Sequence, residues 1–414
     1  MVQSVLGSLT LGYRPLWNGA RQLAAIQLYV QDLPGHYVDA PHLLRTLQEM
    51  WSASSPPLLI SPQSRQLLLQ LLQQAPRGSP WIEVRGQWLG DSSLLEQVRQ
   101  AYRRGLRLVW RGELSDLPGG DIAACFDNSL LSLSPAEAVG ALQSSASTGQ
   151  RGVRASPILD GQMYENLPTV ALLSLCLDRH RAVAVAGWPS DDVLYSLRHQ
   201  QLQPSHATIF KLMKAIDAEQ SLDSFEHILS EDPLLAYRFL TYTNSAALGL
   251  RTGIDSLRRG LVMLGYGTLQ RWLGDQLPHA STDPNLSPIR QTMVLRAQLM
   301  ERLVEAGIEY ELRREVYLTG LLSQLDTLMD EPIATILRRL PLSERISDAI
   351  VLRSGPYAPA LQIACALETD DASVVRQLCE THEMDTESVN RALLRLLSEL
   401  HVERPRPGQP TGSR

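Results

Sequence analysis

The sequence predicts a multidomain chain: an α/β domain over residues 1–198, an all-helical domain over residues 199–403, and a disordered tail at 404–414. Three observations carry this prediction. Short apolar runs alternate with amphipathic helical runs through the first half, as strands do when crossover helices join them into a parallel sheet. From Pro204 onward the apolar periodicity is helical throughout. Charge divides at the same place, with 16 Arg against 16 Asp plus Glu in residues 1–203, and 22 Lys plus Arg against 28 Asp plus Glu in residues 204–414.

In order along the chain, LTLGYRPLWNGARQLAAIQLYVQDL (9–33) reads as two strands with a polar turn at Asn18-Gly19. Helical spacing follows over Ala40–Trp51, and Pro56-Pro57 leads into a short buried strand at Leu58–Ile60. Ser61-Pro62 is the predicted start of a helix bearing Leu67, Leu68, Leu71 and Leu72. Gly78-Ser79-Pro80 introduces a strand at Trp81–Val84, and a helix over Ser93–Arg104 precedes a strand at Leu106–Trp110. A strand at Ile122–Phe126 and a helix at Pro135–Gln143 complete the alternation, which fits either a barrel or an open α/β sheet. The linker is expected at Leu197–Pro204.

The helical half is organised around Phe225–Trp272. Asp232-Pro233 is a helix-entry signal, an N-cap carboxylate followed by a proline whose fixed φ suits the first helical position. Leu234, Leu235, Phe239 and Leu240 then share one face. Asn244-Ser245 ends that helix, and the connector closes at Gly249. Asp255 or Ser256 can cap the next helix, whose apolar residues are Leu257, Leu261, Val262 and Leu264. Gly265 and Gly267 supply a permissive backbone for the exit into a third helix with Leu269, Trp272 and Leu273. Asp232→Ala is expected to cost about 1 kcal/mol as a lost cap.

DP-x-L, then N-S-A-A-x-G, then I-x-S-L-x-x-x-L-x-x-L-G, in that order, resemble the HDOD domain, a helical relative of the metal-dependent HD phosphohydrolases. The likeness runs from about Pro204 to near Val402. It implies that Asp232, Pro233, Asn244, Ser245, Gly249 and Gly265 form a structural motif. At the other end, G-Y-R-P-L-W-N followed by R-Q-L-A-A-I-Q-L is similar to the start of EAL domains, the barrel phosphodiesterases that cleave cyclic di-GMP. That resemblance covers residues 1 to about 190 and implies a TIM-like barrel. The segment is shorter than a full EAL barrel, which implies a missing or remodelled strand–helix unit. An EAL domain followed by an HDOD domain is a known two-domain architecture.

Both resemblances imply that catalytic residues are lost. Cyclic di-GMP hydrolysis needs metal ions clamped by carboxylates. The naming glutamate of the EAL family falls at Gln27, and its adjacent aspartates fall at Arg111 and Gly112, where a cation would repel a metal. The family's lysine aligns with about Cys125, while Asp127 is retained. Glu83 matches a further ligand position, or else forms a solvated ion pair with Arg85. In the helical half, the His-Asp pair of an HD phosphohydrolase corresponds to Ser323-Gln324, and none of the nine histidines is followed by aspartate.

Other signals are bland. Cys125, Cys176, Cys365 and Cys379 are scattered and read as free thiols in a reducing cytoplasm. No apolar run approaches the roughly 18 residues of a membrane helix. The acidic second half argues against a helix-turn-helix reading phosphates through Arg258, Arg259 and Arg271. His227 reads as a hydrogen-bonded structural histidine, and Asp191-Asp192 and Asp370-Asp371 as charges at helix N-termini. Helix Glu387–Val402 reads as packed core. The expectation is a catalytically inactive signalling protein with no metal or cofactor, acting through an unidentified protein partner. Cyclic di-GMP would bind weakly if at all, through Arg111, Trp110 and Arg14. The alternative is a metal-dependent phosphodiesterase or HD-type phosphohydrolase with atypical ligands.

Overall fold

A computed structural model describes residues 5–32, 38–146, 156–248, 253–304 and 310–402. The contacts divide the chain into two compact units, one made chiefly of Arg14–Asn166 with Ser174–Gly187, the other chiefly of Trp188–Leu393 with Leu167–Leu173. Gly249 and the 404–414 tail lie outside the described residues.

Eight strands close into a barrel: β1 (Leu9–Trp17), β2 (Leu23–Asp32), β3 (Leu58–Pro62), β4 (Trp81–Arg85), β5 (Leu108–Glu113), β6 (Asn128–Ser132), β7 (Met163–Glu165) and β8 (Ala184–Ala186). From β2 to β8 each strand is parallel to the next, and β1 pairs antiparallel with β8, Leu16 opposite Ala186. The connecting helices are α1 (Ala40–Met50), α2 (Arg65–Gln74), α3 (Ser92–Arg103), α4 (Gly120–Ala123), α5 (Pro135–Ala146) and α6 (Val170–Ser174). Asp39, Ser64 and Asp91 cap the first three, each side chain accepting a backbone N–H of the first turn.

Among the described residues the barrel closes with eight strands, and several of its elements are brief: the four-residue α4, the five-residue α6 and the three-residue β7 and β8. Three boundaries move from their predicted places. Ser61-Pro62 ends β3 rather than opening α2, whose cap is Ser64. β5 continues past Trp110 through Arg111 and Gly112 to Glu113. Ile122–Phe126 is not a strand: within it only Cys125 is buried, and the next strand is β6, where Leu130 and Leu131 are buried.

The second unit is helical: α7 (Ser190–Ser196), α8 (His206–Asp217), α9 (Leu222–Leu229), α10 (Pro233–Thr243), α11 (Leu257–Leu264), α12 (Tyr266–Gln276), α13 (Leu286–Leu303), α14 (Tyr310–Leu322), α15 (Leu325–Met329), α16 (Ile333–Leu337), α17 (Glu344–Ser347), α18 (Ala358–Leu367), α19 (Ala372–Thr381) and α20 (Thr386–Glu399). In α20, Val389, Leu393, Leu396 and Leu397 are buried. A Cβ on Gly320 of α14 would lie 2.6 Å from Ala297 Cα of α13, so the absent side chain sets the approach of these two helices.

Asp232 is wholly buried and does more than cap α10. One carboxylate oxygen accepts Leu235 N–H at 3.0 Å; the other accepts Ser205 N–H at 2.7 Å and lies 3.4 Å from Arg290 Nε. Asn244 holds the following connector, donating to Leu240 O and Ile254 O and accepting Ile254 N–H. Ser245 does not share that task, since its buried hydroxyl has no hydrogen-bond partner among the described residues. Ser256, not Asp255, caps α11, while Asp255 pairs with Arg259. Gly265 adopts φ 70° and ψ 162°, a conformation closed to residues with a Cβ, whereas Gly267 sits inside α12 with ordinary helical backbone. Val262 is not core, being 62% exposed.

Candidate functional site

Alternation along the strands builds the site. An apolar layer in the barrel interior contains Leu16, Ala25, Leu59, Val109, Leu130, Met163 and Ala184, with Trp81 packed against it. Because side chains alternate with period two, the residue two positions further on points the same way. From those apolar residues, the step reaches Gln27, Ser61, Glu83, Arg111 and Glu165 on the parallel strands, and Arg14 on the antiparallel β1. A polar layer therefore lies above the apolar one toward the C-terminal ends of the parallel strands.

The layer is one connected network. Gln27 Nε2 donates to Glu83 Oε2 at 2.7 Å and to Ser61 Oγ at 3.0 Å, and Gln27 Oε1 accepts the Tyr29 hydroxyl at 3.0 Å. Ser61 Oγ also donates to Glu83. Arg111 reaches two carboxylates, with Nη1 3.2 Å from Glu83 Oε1 and Nε and Nη2 each 2.9 Å from a separate oxygen of Glu165. Arg14 lies 3.5 Å from Glu165 Oε2 and over the Tyr29 ring. Burial opposes the charge on Arg111, but the Glu83 charge and the hydrogen bonds and charge of Glu165 outweigh it and hold the guanidinium more firmly protonated than usual.

Several sequence expectations change here. Glu83 is fully buried, not a solvated partner of Arg85, whose Nε is 3.8 Å away. Gln27 has a positive reason to be an amide, because it donates to Glu83 where a carboxylate would repel it. Trp110 points to the opposite side of β5 from Arg111 and is 1% exposed, so it offers no stacking surface to a ligand. Gly112 is set by that same indole: a Cβ there would lie 2.7 Å from the ring. Glu165 carries no signal in the sequence. Its strand is three residues long, too short for alternation to register.

The donor set does not fit a metal clamp, since the guanidinium of Arg111 occupies the space between the two carboxylates that could serve one. Among the described residues, no group of three or more His, Cys, Asp or Glu side chains is placed to hold a metal.

The corresponding positions of the helical unit show a related arrangement. Ser323 and Gln324 follow the end of α14, and Ser323 Oγ donates to Gly320 O. The Arg296 guanidinium lies 3.5 Å from that hydroxyl and grips Glu368 with Nε at 2.8 Å and Nη2 at 2.5 Å. His227 is exposed and 3.6 Å from Glu231, beyond the hydrogen-bond distance expected of a structural histidine. Arg258 pairs with Asp223 and Glu226, and Arg259 with Asp255. Asp191 and Asp192 lie in the first turn of α7, where such charges were expected, and Asp192 also accepts Val170 N–H of α6. All four cysteines are free, and burial pushes the Cys176 thiol up to about 12.

The HDOD domain matches residues 202–329; the helices beyond residue 329 lie outside that match. Over 200 residues the chain is 24% identical to "Cyclic di-GMP phosphodiesterase CdgJ" of Vibrio cholerae serotype O1, covering 48% of this chain and 46% of that protein. Over 200 residues it is 22% identical to "Uncharacterized protein YuxH" of Bacillus subtilis, covering 46% of this chain and 47% of that protein. The chain thus spans about half the length of the curated relatives it matches. Among solved structures, the MmoQ response regulator of Methylococcus capsulatus is similar at 16% identity and a TM-score of 0.37, over 47% of this chain and 98% of that one. Among the described residues no helix is long and apolar enough to cross a membrane.

Proposed function

We propose that this chain is a cytoplasmic signalling regulator that works by binding another protein and does not turn over cyclic di-GMP. The observation that carries the reading is the Arg111 guanidinium between Glu83 and Glu165. In the EAL-like reading of the barrel, that residue stands where a metal-binding carboxylate belongs, so the position now holds a cation of its own. The four free thiols support a reducing compartment. A partner surface is supported in the HDOD region, where Val262, Met263 and Tyr266 are 62%, 61% and 53% exposed beside the buried motif that starts at Asp232. Three exposed apolar side chains so close in sequence make a small patch of the kind used in recognition.

The test has two arms. Pure protein incubated with cyclic di-GMP and magnesium or manganese is expected to form no linear dinucleotide; metal-dependent product would overturn the reading. A Met263→Asp variant with unchanged melting temperature is expected to lose the proteins that wild type retains in a pull-down, and equal recovery would count against that surface. The second reading, a metal-dependent phosphodiesterase or HD-type phosphohydrolase with atypical ligands, is favoured by the name of the Vibrio cholerae relative. Product formation in the first arm would select it.

A further inference from the structure

A groove of about 1110 Å³ runs through the helical unit, bounded by α10, α12, the end of α15 and the segment at 191–202. Its floor is the second face of α10. Leu235, Phe239 and Leu240 face the core, and Leu234, Arg238, Thr241, Tyr242 and Ser245 line the groove at helical spacing.

Arg238 has an unusual set of partners. Its guanidinium is half-buried, and among the described residues it donates to neutral acceptors only, Gln276 Oε1 at 3.1 Å and Leu202 O at 3.2 Å. The nearest carboxylate influence is Asp232, which is already engaged by Arg290 and two backbone amides. A guanidinium carries five N–H donors, so three remain. Burial makes the charge itself less favourable here, which is the condition an anionic ligand relieves. Beside it the Tyr242 and Trp272 rings stack at 5.6 Å with 21° between planes, and both line the groove. The remaining charges are at the rim: Arg198 over the Tyr195 ring, Arg339 paired with Glu331, His199, Asp191 and Asp330.

We propose that this groove binds a small anion carrying a flat aromatic ring, the chemistry of a nucleoside monophosphate. The anionic end meets Arg238, and the ring lies on the free face of Tyr242, which the buried Trp272 backs. An aliphatic anion would leave the aromatic wall unused, and a cationic ligand would be repelled at the floor. The rim carboxylates Asp191, Asp330 and Glu331 disfavour any ligand whose negative charge projects outward.

The experiment is calorimetric titration of the full chain with GMP and with AMP, and with guanosine and inorganic phosphate as separated parts. At least one nucleotide is expected to bind more tightly than either part. Arg238→Gln should weaken nucleotide binding about tenfold or more while leaving guanosine little changed, since charge-assisted hydrogen bonds are the stronger kind. Tyr242→Leu should weaken nucleotide and guanosine together, because stacking on an aromatic side chain is worth a factor of about five to a hundred. Thr241→Trp, which fills the groove from the middle of α10, should abolish binding with the melting temperature retained, and it keeps the test decisive if Arg238→Gln fails to fold. No binding of either nucleotide at millimolar concentration to folded protein overturns the proposal. So does binding that survives Thr241→Trp unchanged.

Discussion

Arg111 in the barrel and Arg290 in the helical unit both meet carboxylates of negligible exposure, yet the two arginines sit in very different surroundings. Arg111 is 15% exposed, and its carboxylates project from β4 and β7, strands whose backbone ladders are complete without them. Glu83 keeps Gln27 and Ser61 if the arginine is lost, and Glu165 keeps Arg14. Arg290 is 7% exposed and faces Asp232, which also joins α10 to the start of α8 through Ser205 N–H. One charge is set into a frame that stands by itself; the other is part of the frame. The lesson is that burial alone does not rank buried ion pairs, and that what the carboxylate does for the backbone does.

This contrast can be broken by substitution, beginning where the effect should be greatest. Asp232→Ala removes two hydrogen bonds to backbone and strands the Arg290 charge. It should therefore cost about 3–5 kcal/mol rather than the 1 kcal/mol of a simple cap. Thermal melting monitored by helical signal measures it, and a loss near 1 kcal/mol would reduce Asp232 to a cap. Gly265→Val comes next, at about 1–3 kcal/mol, because its φ of 70° resists a side chain although no atom lies within 4 Å of the place a Cβ would take. A crystal structure of that variant with an undisturbed α11–α12 turn and full stability would contradict the conformational account.

Arg111→Met tests the barrel side. It should cost about 1–3 kcal/mol, less than Asp232→Ala, because Gln27 and Ser61 still hydrogen-bond Glu83 and the Arg14 charge still faces Glu165. Denaturant midpoints of the two variants, measured side by side, decide the order, and a larger loss for Arg111→Met would reverse the comparison. The smallest effect concerns pH. Glu226 has its pKa raised by burial, against the lowering influence of Arg314 and Arg258. A carboxyl with a raised folded pKa contributes stability that is present below its ordinary value of 4.5 and is lost as pH rises through the folded value. Wild type should thus lose more stability than Glu226→Gln on passing upward through that window. Parallel stability curves for the two proteins would remove the assignment.

Much of the fold was legible from local pattern. The Asn18-Gly19 turn, the strand beginnings at Leu58 and Trp81, and the Asp232-Pro233 entry all lie where propensity, capping and apolar spacing act within a few residues. Ile122–Phe126 misled because apolar composition says nothing of which neighbours will cover it, and Leu130-Leu131 were covered instead.

The sequence by itself determined that two kinds of domain follow one another, that the helical motif is capped at Asp232, and that Gln27 and Arg111 stand in or beside apolar runs patterned as strands. Tertiary structure alone decided what those two residues do. Arg111 and Glu165 are 54 residues apart and meet only because the barrel closes, bringing the fifth and seventh strands into register around one interior. Likewise Asp232 acquires Ser205 and Arg290 only when three separate segments pack. The physical reason is range: hydrogen-bonded turns, caps and periodicity are fixed by neighbours along the chain, whereas the partner of a buried charge is chosen by which segments exclude water together.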